Sequence, residues 1–256
     1  MAAKTHSAYG KTLLGFSAMI LFTTSLASAQ NSDQFSPDEK NQVIAKITRY
    51  EVKNEEKEKF KKTITDYVLT SLSDKNNIMS EAYFEQENQS VIWLFERWEN
   101  QSAFNKFQKN SISNKVKVLA KTALIHPEKR IDIKDLEPIS KQEWRKTSKK
   151  EDHQLTIMLF VDAKAGTQEN FKTIYKKAMP EFRSEPGVVT YQLSQFKDDE
   201  TQFVTFEKFR SNDAFQYHLN FPPIQPVLDY LNTSIKKPPF QDGIHNLIEF
   251  APLFRE

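Results

Sequence analysis

Two stretches of the sequence, ERWENQSAFNKF at Glu96–Phe107 and EKFRSNDAFQYH at Glu207–His218, follow the same outline. A glutamate, an aromatic residue and an Ala-Phe pair recur at matching positions, and the offset between the two glutamates is 207 − 96 = 111 residues. The same offset pairs Phe60 with Phe171 and needs no gap in between. A repeat at a fixed period predicts two copies of one structural module.

Each copy has the pattern of a strand, a helix, a two-stranded hairpin, a second helical region and a last strand. This βαββαβ order is the ferredoxin-like arrangement, an antiparallel sheet with both helices on one face. We assign the modules to residues 40–138 and 152–254. The polar, lysine-rich residues 139–151 form the predicted linker, which we expect to dock through Trp144.

The hairpin strand VIWLFERW, residues 91–98, is largely apolar on both alternating sides. Helices cover one face of a ferredoxin-like sheet, so an apolar second face needs another layer, and the second copy supplies a similar one. We therefore predict an α+β fold in which the two sheets pack face to face as an intramolecular barrel with a cavity between them. Such a chain would be a monomer with an internal pseudo-dimer.

The first 29 residues have the pattern of a secretory signal peptide. Lys4 and Lys11 precede an apolar run, and Ala27-Ser28-Ala29 is a small-residue cleavage site. The apolar run is too short to span a bilayer comfortably. We expect cleavage after Ala29 and a periplasmic or secreted protein with no membrane span, although a retained amphipathic anchor is the alternative.

Charge and cysteine content exclude several classes of protein. Cleavage would remove two lysines and leave as many basic as acidic residues, which provides no basic surface for nucleic acid. The chain has no cysteine, so disulfide scaffolds and thiol chemistry are excluded. Histidines are few and show no metal-ligand spacing, so we predict no metal site.

The second copy carries a pattern that resembles a known family. Glu185-Pro186-Gly187, Tyr191, Phe203, Glu207, Phe209, Ala214, Phe215 and His218 stand in one register. This pattern is similar to that of the antibiotic biosynthesis monooxygenases, whose barrels usually form from two chains. The first copy keeps Glu96 and Trp98 but has Phe107 in place of His218. The resemblance implies one working pocket, an O2-dependent oxidation of a small aromatic compound or hydroquinone, and no required cofactor.

Three residues are candidates for catalysis. His218 could act as a general base on a phenol or hydroquinone, because imidazole titrates near neutral pH. Burial would raise the pKa of Glu207 and suit it to proton transfer, and the phenol of Tyr191 could hold a substrate oxygen. For the glutamates, an ion pair or hydrogen bond that serves the fold is the alternative.

The candidates for contact with a small aromatic or hydrophobic ligand are Phe209, Phe203, Trp98 and Glu96. The aromatic residues among them could equally belong to the core. Two other functions stay open: a non-catalytic, ligand-binding or stress-related barrel protein, and a haem-binding or haem-degrading protein. Because Trp98 and His218 fall in different copies, haem would need a composite pocket.

Overall fold

The computed structural model describes residues 42–253, and the predicted signal peptide lies outside them. In the first module the elements follow the predicted βαββαβ order, with the second helical region split in two. They are β1 (Ile44–Glu51), α1 (Lys57–Leu72), β2 (Asn77–Glu85), β3 (Val91–Trp98), α2 (Gln101–Phe107), α3 (Ser111–Ala123) and β4 (Lys129–Leu136).

The second module repeats this order after one short helix. The elements are α4 (Lys141–Trp144), β5 (Leu155–Asp162), α5 (Gln168–Ser184), β6 (Val188–Phe196), β7 (Gln202–Phe209), α6 (Asn212–Asn220), α7 (Gln225–Thr233) and β8 (Ile244–Ala251). Both modules are ferredoxin-like, which confirms the predicted fold class.

The eight strands form one closed antiparallel barrel in the order β1-β3-β2-β8-β5-β7-β6-β4. The last strand of each module joins the two halves. β4 pairs with β1 of its own module and with β6 of the other, while β8 pairs with β5 and with β2. Every strand therefore has two neighbours, and the barrel has no free edge on which a second chain could add a strand.

The two faces of β3 contact different layers, as their alternation predicts. Ile92, Leu94 and Trp98 pack against the helices of the first module. Trp93 and Phe95 face the barrel interior, where the Phe95 ring lies 4.7 Å from that of Phe206. Large apolar side chains from both modules thus fill most of the space between the two sheets.

Helix α6 begins close to the turn that precedes β6, and this contact positions His218. The Ser211 side chain caps the helix by accepting a hydrogen bond from the Ala214 amide. A Cβ on Gly187 would lie 2.2 Å from the Cβ of Ala214, so only glycine fits at this position. His218 follows Ala214 by one helical turn and therefore lies on the same side of α6, toward the turn.

The segment between the modules packs against one end of the barrel. Ser140 and Glu143 form a capping box at the start of α4. Trp144 at the end of α4 is only 2% exposed, and its ring lies 3.8 Å from the Arg97 guanidinium and 6.2 Å from the Phe206 ring. The segment thus covers the end of the barrel at which β4 stops and β5 starts.

Candidate active site

A narrow pocket lies between the sheet and the helices of the second module. Its volume is about 50 Å³, small beside the roughly 300–1,000 Å³ of typical ligand pockets. The polar side chains that line it are Tyr175, Tyr191, Glu207 and His218. Its apolar lining consists of Ile157, Leu159, Phe215, Leu219, Ile224, Val227, Leu228, Leu231, Phe240 and Ile244.

His218 forms a buried pair with Glu185, the residue that follows α5. The His218 Nδ1 atom lies 2.8 Å from Glu185 Oε1, and the two side chains are 2% and 1% exposed. Burial lowers the pKa of His218 to about 4 and raises the pKa of Glu185 to about 7. His218 is therefore neutral at physiological pH, while Glu185 titrates there.

The proton on Glu185 decides which nitrogen of His218 can act as a base. When Glu185 is ionised it can only accept, so Nδ1–H donates to the carboxylate and Nε2 carries the lone pair. When Glu185 is protonated, its hydroxyl donates to Nδ1 and the proton of the ring moves to Nε2. Rings of Phe182, Tyr191 and Phe209 surround the imidazole at centroid distances of 4.7, 5.3 and 5.3 Å, and they hold its orientation.

A second carboxyl group, that of Glu207, lies on the pocket wall. Thr205 donates a hydrogen bond of 2.6 Å to Glu207 Oε1, and Tyr191 stands opposite Glu207 on the neighbouring strand β6. The Tyr175 hydroxyl lies 3.5 Å from that of Tyr191. Burial raises the pKa of Glu207 to about 7, so near neutral pH it can donate or accept a proton.

The first module has a matching pocket of about 60 Å³ with a different lining. Glu96 lies where the second module has Glu207, and it accepts hydrogen bonds from Tyr67 at 2.8 Å and from the Trp98 indole at 3.2 Å. Lys46, Thr48 and Lys117 in this pocket stand at the repeat positions of Ile157, Leu159 and Leu228. The first pocket is thus polar and lacks a histidine, whereas the second is apolar around one His–Glu pair.

The structure brings together only some of the predicted site residues. His218, Glu207 and Tyr191 line one pocket, which lies on the helix side of the sheet and not between the two sheets. The rings of Phe203 and Phe209, predicted to contact substrate, are fully buried in the core of the same module and do not line this pocket.

Trp98 and Glu96 are likewise separated from His218. Both lie between the sheet and the helices of the first module, where Trp98 is fully buried. Trp98 and Glu96, predicted to contact a ligand, therefore do not lie in the pocket that His218 lines. A haem site that used both Trp98 and His218 would have to join the helix layers of the two modules.

Two residues beyond the predicted site residues take part in the arrangement around His218. Glu185 belongs to the Glu-Pro-Gly turn motif and does not line the pocket, but its carboxyl group pairs with His218 across 33 residues of chain. Tyr175 lines the pocket from α5, and its hydroxyl lies 3.5 Å from that of Tyr191.

Fold and pocket together define a tandem member of the dimeric α/β barrel class, formed within one chain. The model of the antibiotic biosynthesis monooxygenase family matches residues 43–116 and 154–226. The chain belongs to this family. No curated protein matches it in sequence.

Solved structures share the whole tandem architecture at low sequence identity. A "putative monooxygenase" from Lactobacillus acidophilus NCFM is 14% identical with a TM-score of 0.66, and the alignment covers 81% of this chain and 93% of that one. A protein of the same description from Fusobacterium nucleatum is 16% identical with a TM-score of 0.66, and the alignment covers 81% of this chain and 92% of that one. An anthrone oxidase-like protein is 8% identical with a TM-score of 0.53 and coverages of 81% and 90%. At such identities the likeness concerns the fold.

Two features are absent from the part of the chain that the structure describes. Residues 42–253 contain no helix that is both long and apolar enough to cross a bilayer. The same residues contain no cluster of three His, Asp or Glu side chains placed to hold a metal ion.

Proposed function

We propose that the second-module pocket oxidises a small, single-ring hydroquinone or a related aromatic compound with O2. The observation that carries this proposal is the neutral His218, paired at 2.8 Å with a carboxyl group that titrates near pH 7 and opening into an apolar pocket. Membership of a monooxygenase family supports it, and the fold is shared with a protein described as anthrone oxidase-like.

The first step assigns a base and its supporting carboxylate. With Glu185 ionised, Nε2 of His218 takes a proton from the substrate, and the Glu185 carboxylate stabilises the imidazolium that forms. The apolar walls keep water out, which strengthens this interaction. The product of the step is an electron-rich ring anion that reacts directly with O2.

The second step is the transfer of one oxygen atom. In the keto tautomer of a hydroquinone the reacting carbon is a methylene group. After the first proton has left, this carbon adds O2, and the resulting peroxide loses water when the second C–H proton leaves. One oxygen atom remains as a carbonyl and the other leaves as water. The His218 imidazolium returns its proton to the peroxide anion, and Glu207, when protonated, donates a second proton to the departing oxygen and then takes up the C–H proton.

The size of the pocket limits the substrate. A volume of about 50 Å³ holds a few water molecules, so a single ring enters only if side chains on the open side change rotamer. Leu219, which is 36% exposed, and the partly exposed Leu228 lie on that side. We therefore expect single-ring substrates to react faster than fused-ring ones.

Oxygen-18 labelling tests the reaction. The purified protein is incubated with a panel of one-, two- and three-ring hydroquinones and anthrones under oxygen-18 gas, and the products are analysed by mass spectrometry. Incorporation of one labelled atom per product, abolished in His218→Ala, supports the proposal. Oxidation without incorporation, or incorporation that persists in His218→Ala, contradicts it.

We also propose that the protein is exported and cleaved after Ala29, on the basis of its basic, apolar and small-residue N-terminal pattern. Intact-mass measurement of the protein recovered from the host identifies its first residue. A protein that starts at Gln30 supports export, whereas an uncleaved chain in the cytosol contradicts it.

A further inference from the structure

A larger pocket of about 360 Å³ lies at the end of the barrel that the segment between the modules covers. Leu69, which is 42% exposed, and the exposed Lys146 lie at its opening. The volume falls within the range of small-molecule sites. This barrel-end pocket shares no lining residue with the pocket around His218.

The repeat explains why the first module has room for the barrel-end pocket. Leu72, on the pocket lining, stands at the repeat position of Arg183. In the second module the Arg183 guanidinium donates hydrogen bonds to the backbone oxygens of Tyr191 and Glu137, at 3.0 and 2.7 Å, and to Gln192 Oε1 at 3.0 Å. Arg183 thus spans from α5 to β6 and to the end of β4. The shorter Leu72 leaves the corresponding space of the first module open and gives it an apolar wall.

Apolar side chains from four parts of the chain form much of this wall. Leu69 and Leu72 come from α1, Met79 from β2, Trp144 from the segment between the modules, and Pro252 directly follows β8. Covering apolar surface with an apolar molecule is favourable in proportion to the area removed from water. The walls therefore favour a ligand with an apolar body.

The charged side chains on the lining already interact with other groups of the protein or with water. The Lys208 Nζ atom lies 2.8 Å from Glu81 Oε1 and 3.8 Å from Glu249 Oε2. The Arg145 guanidinium donates to two backbone oxygens of β2, each at 2.9 Å. Lys146 is exposed, and water screens its charge. A charged ligand would thus lose its water of hydration on entry without a new ion pair to replace it.

We propose that the barrel-end pocket binds a small, neutral, mainly apolar molecule, whose body packs against Leu69 and Leu72. The ammonium group of Lys208 stays paired inside the protein when this ligand binds. The site is separate from the His218 pocket, and the proposal does not depend on the oxidation reaction.

Three ligands of matched size test the preference for a neutral molecule. The purified protein is titrated at pH 7 with 2-phenylethanol, phenethylamine and phenylacetate in separate calorimetric experiments. We expect the alcohol to bind at least about tenfold more tightly than the amine or the carboxylate, because neither charge finds a partner that offsets its lost hydration. No binding of the alcohol overturns the proposal, and so does an amine or a carboxylate that binds as tightly as the alcohol.

Variants locate the site, and thermal unfolding checks that each of them is folded. Leu69→Trp places a bulky side chain at the opening from an exposed position on α1, and Leu72→Arg introduces the residue of the second module. Each should weaken binding of 2-phenylethanol at least about tenfold. Val118→Trp, at a position on α3 that is 65% exposed and outside the pocket lining, is the matched control and should bind normally, as should His218→Ala. Binding that survives both Leu69→Trp and Leu72→Arg, or that is lost in His218→Ala, places the alcohol elsewhere and overturns the assignment.

Discussion

Nδ1 of His218 lies 2.8 Å from Oε1 of Glu185, and both side chains are almost completely buried. Glu185 ends α5 and His218 lies in α6, so the pair links the two helical regions that cover the second sheet. The other oxygen of Glu185 is buried and has no hydrogen-bond partner within residues 42–253. The imidazole of His218 is thus the group that the Glu185 carboxyl orients.

The first prediction concerns the pH dependence of the oxidation rate. The base needs Glu185 ionised and the acid needs Glu207 protonated, and the pKa of each is about 7. The rate should therefore rise and then fall around neutral pH. In rates measured across pH 5 to 9, Glu185→Gln should abolish the rise on the acidic side of the profile. Glu207→Gln should abolish the fall on its alkaline side. The exposed Glu181→Gln on α5 is the control, and retention of both limbs in either test variant contradicts the assignment.

The second prediction concerns the effect of pH on stability. The folded pKa of Glu207, about 7, exceeds its ordinary value of 4.5, so the folded state binds the extra proton between these values. The stabilisation is complete below pH 4.5 and is lost as pH rises through 7, by on the order of 3 kcal/mol. Relative to the native protein, Glu207→Gln should thus gain stability between pH 5 and pH 8.

Urea denaturation of both proteins at the two pH values measures this gain. The titration of His218 changes the free energy of unfolding in the opposite direction, because the folded pKa of His218, about 4, lies below its ordinary value of 6.5. That contribution is present in both proteins and cancels in their difference. A stability difference that stays the same at pH 5 and pH 8 would show that Glu207 is not buried as described.

The third prediction concerns the contact between Gly187 and Ala214. In Gly187→Ala the new Cβ would lie 2.2 Å from the Cβ of Ala214, so the start of α6 has to shift. We expect a loss of about 1–3 kcal/mol and a lower oxidation rate, since α6 carries His218. The double variant Gly187→Ala/Ala214→Gly removes the clash between the two Cβ atoms and should recover part of both. Thermal unfolding together with rate measurements checks this, and no recovery would contradict the contact.

The fourth prediction concerns Trp144. Trp144→Ala removes a buried ring from the end of the barrel and should cost about 3–5 kcal/mol in the free energy of unfolding. Trp144→Phe keeps an aromatic ring beside Arg97 and should cost clearly less. Urea denaturation distinguishes the two variants. If alanine costs under about 1 kcal/mol, the segment between the modules is a spacer and not part of the barrel core.

Much of the fold could be predicted from local patterns. The repeat showed two modules, and the alternation in Val91–Trp98 showed that both faces of the sheet are covered. Alternation identifies a buried face but not the layer that covers it. The sequence therefore could not distinguish the side of the sheet on which Glu207 and His218 lie from the barrel interior, which Trp93 and Phe95 fill instead.

The pairings between distant residues could not be predicted. Glu185 meets His218 only because α6 starts against the Gly187 turn, and no local pattern encodes that approach. In the same way, the joining of β4 to β6 depends on how the two modules come together. The sequence did show that His218 has no equivalent in the first copy, and the structure adds that the first pocket is also polar.

The most direct test of the account compares the same substitution at equivalent positions of the two modules. Glu207→Gln and Glu96→Gln each replace a buried carboxyl group at the same position of the repeat, and each is assayed by O2 consumption with the best hydroquinone substrate. If the second-module pocket performs the chemistry, Glu207→Gln lowers the rate by about 100-fold or more, while Glu96→Gln changes it by less than about threefold. Equal losses in both variants, or a larger loss in Glu96→Gln, would contradict the account.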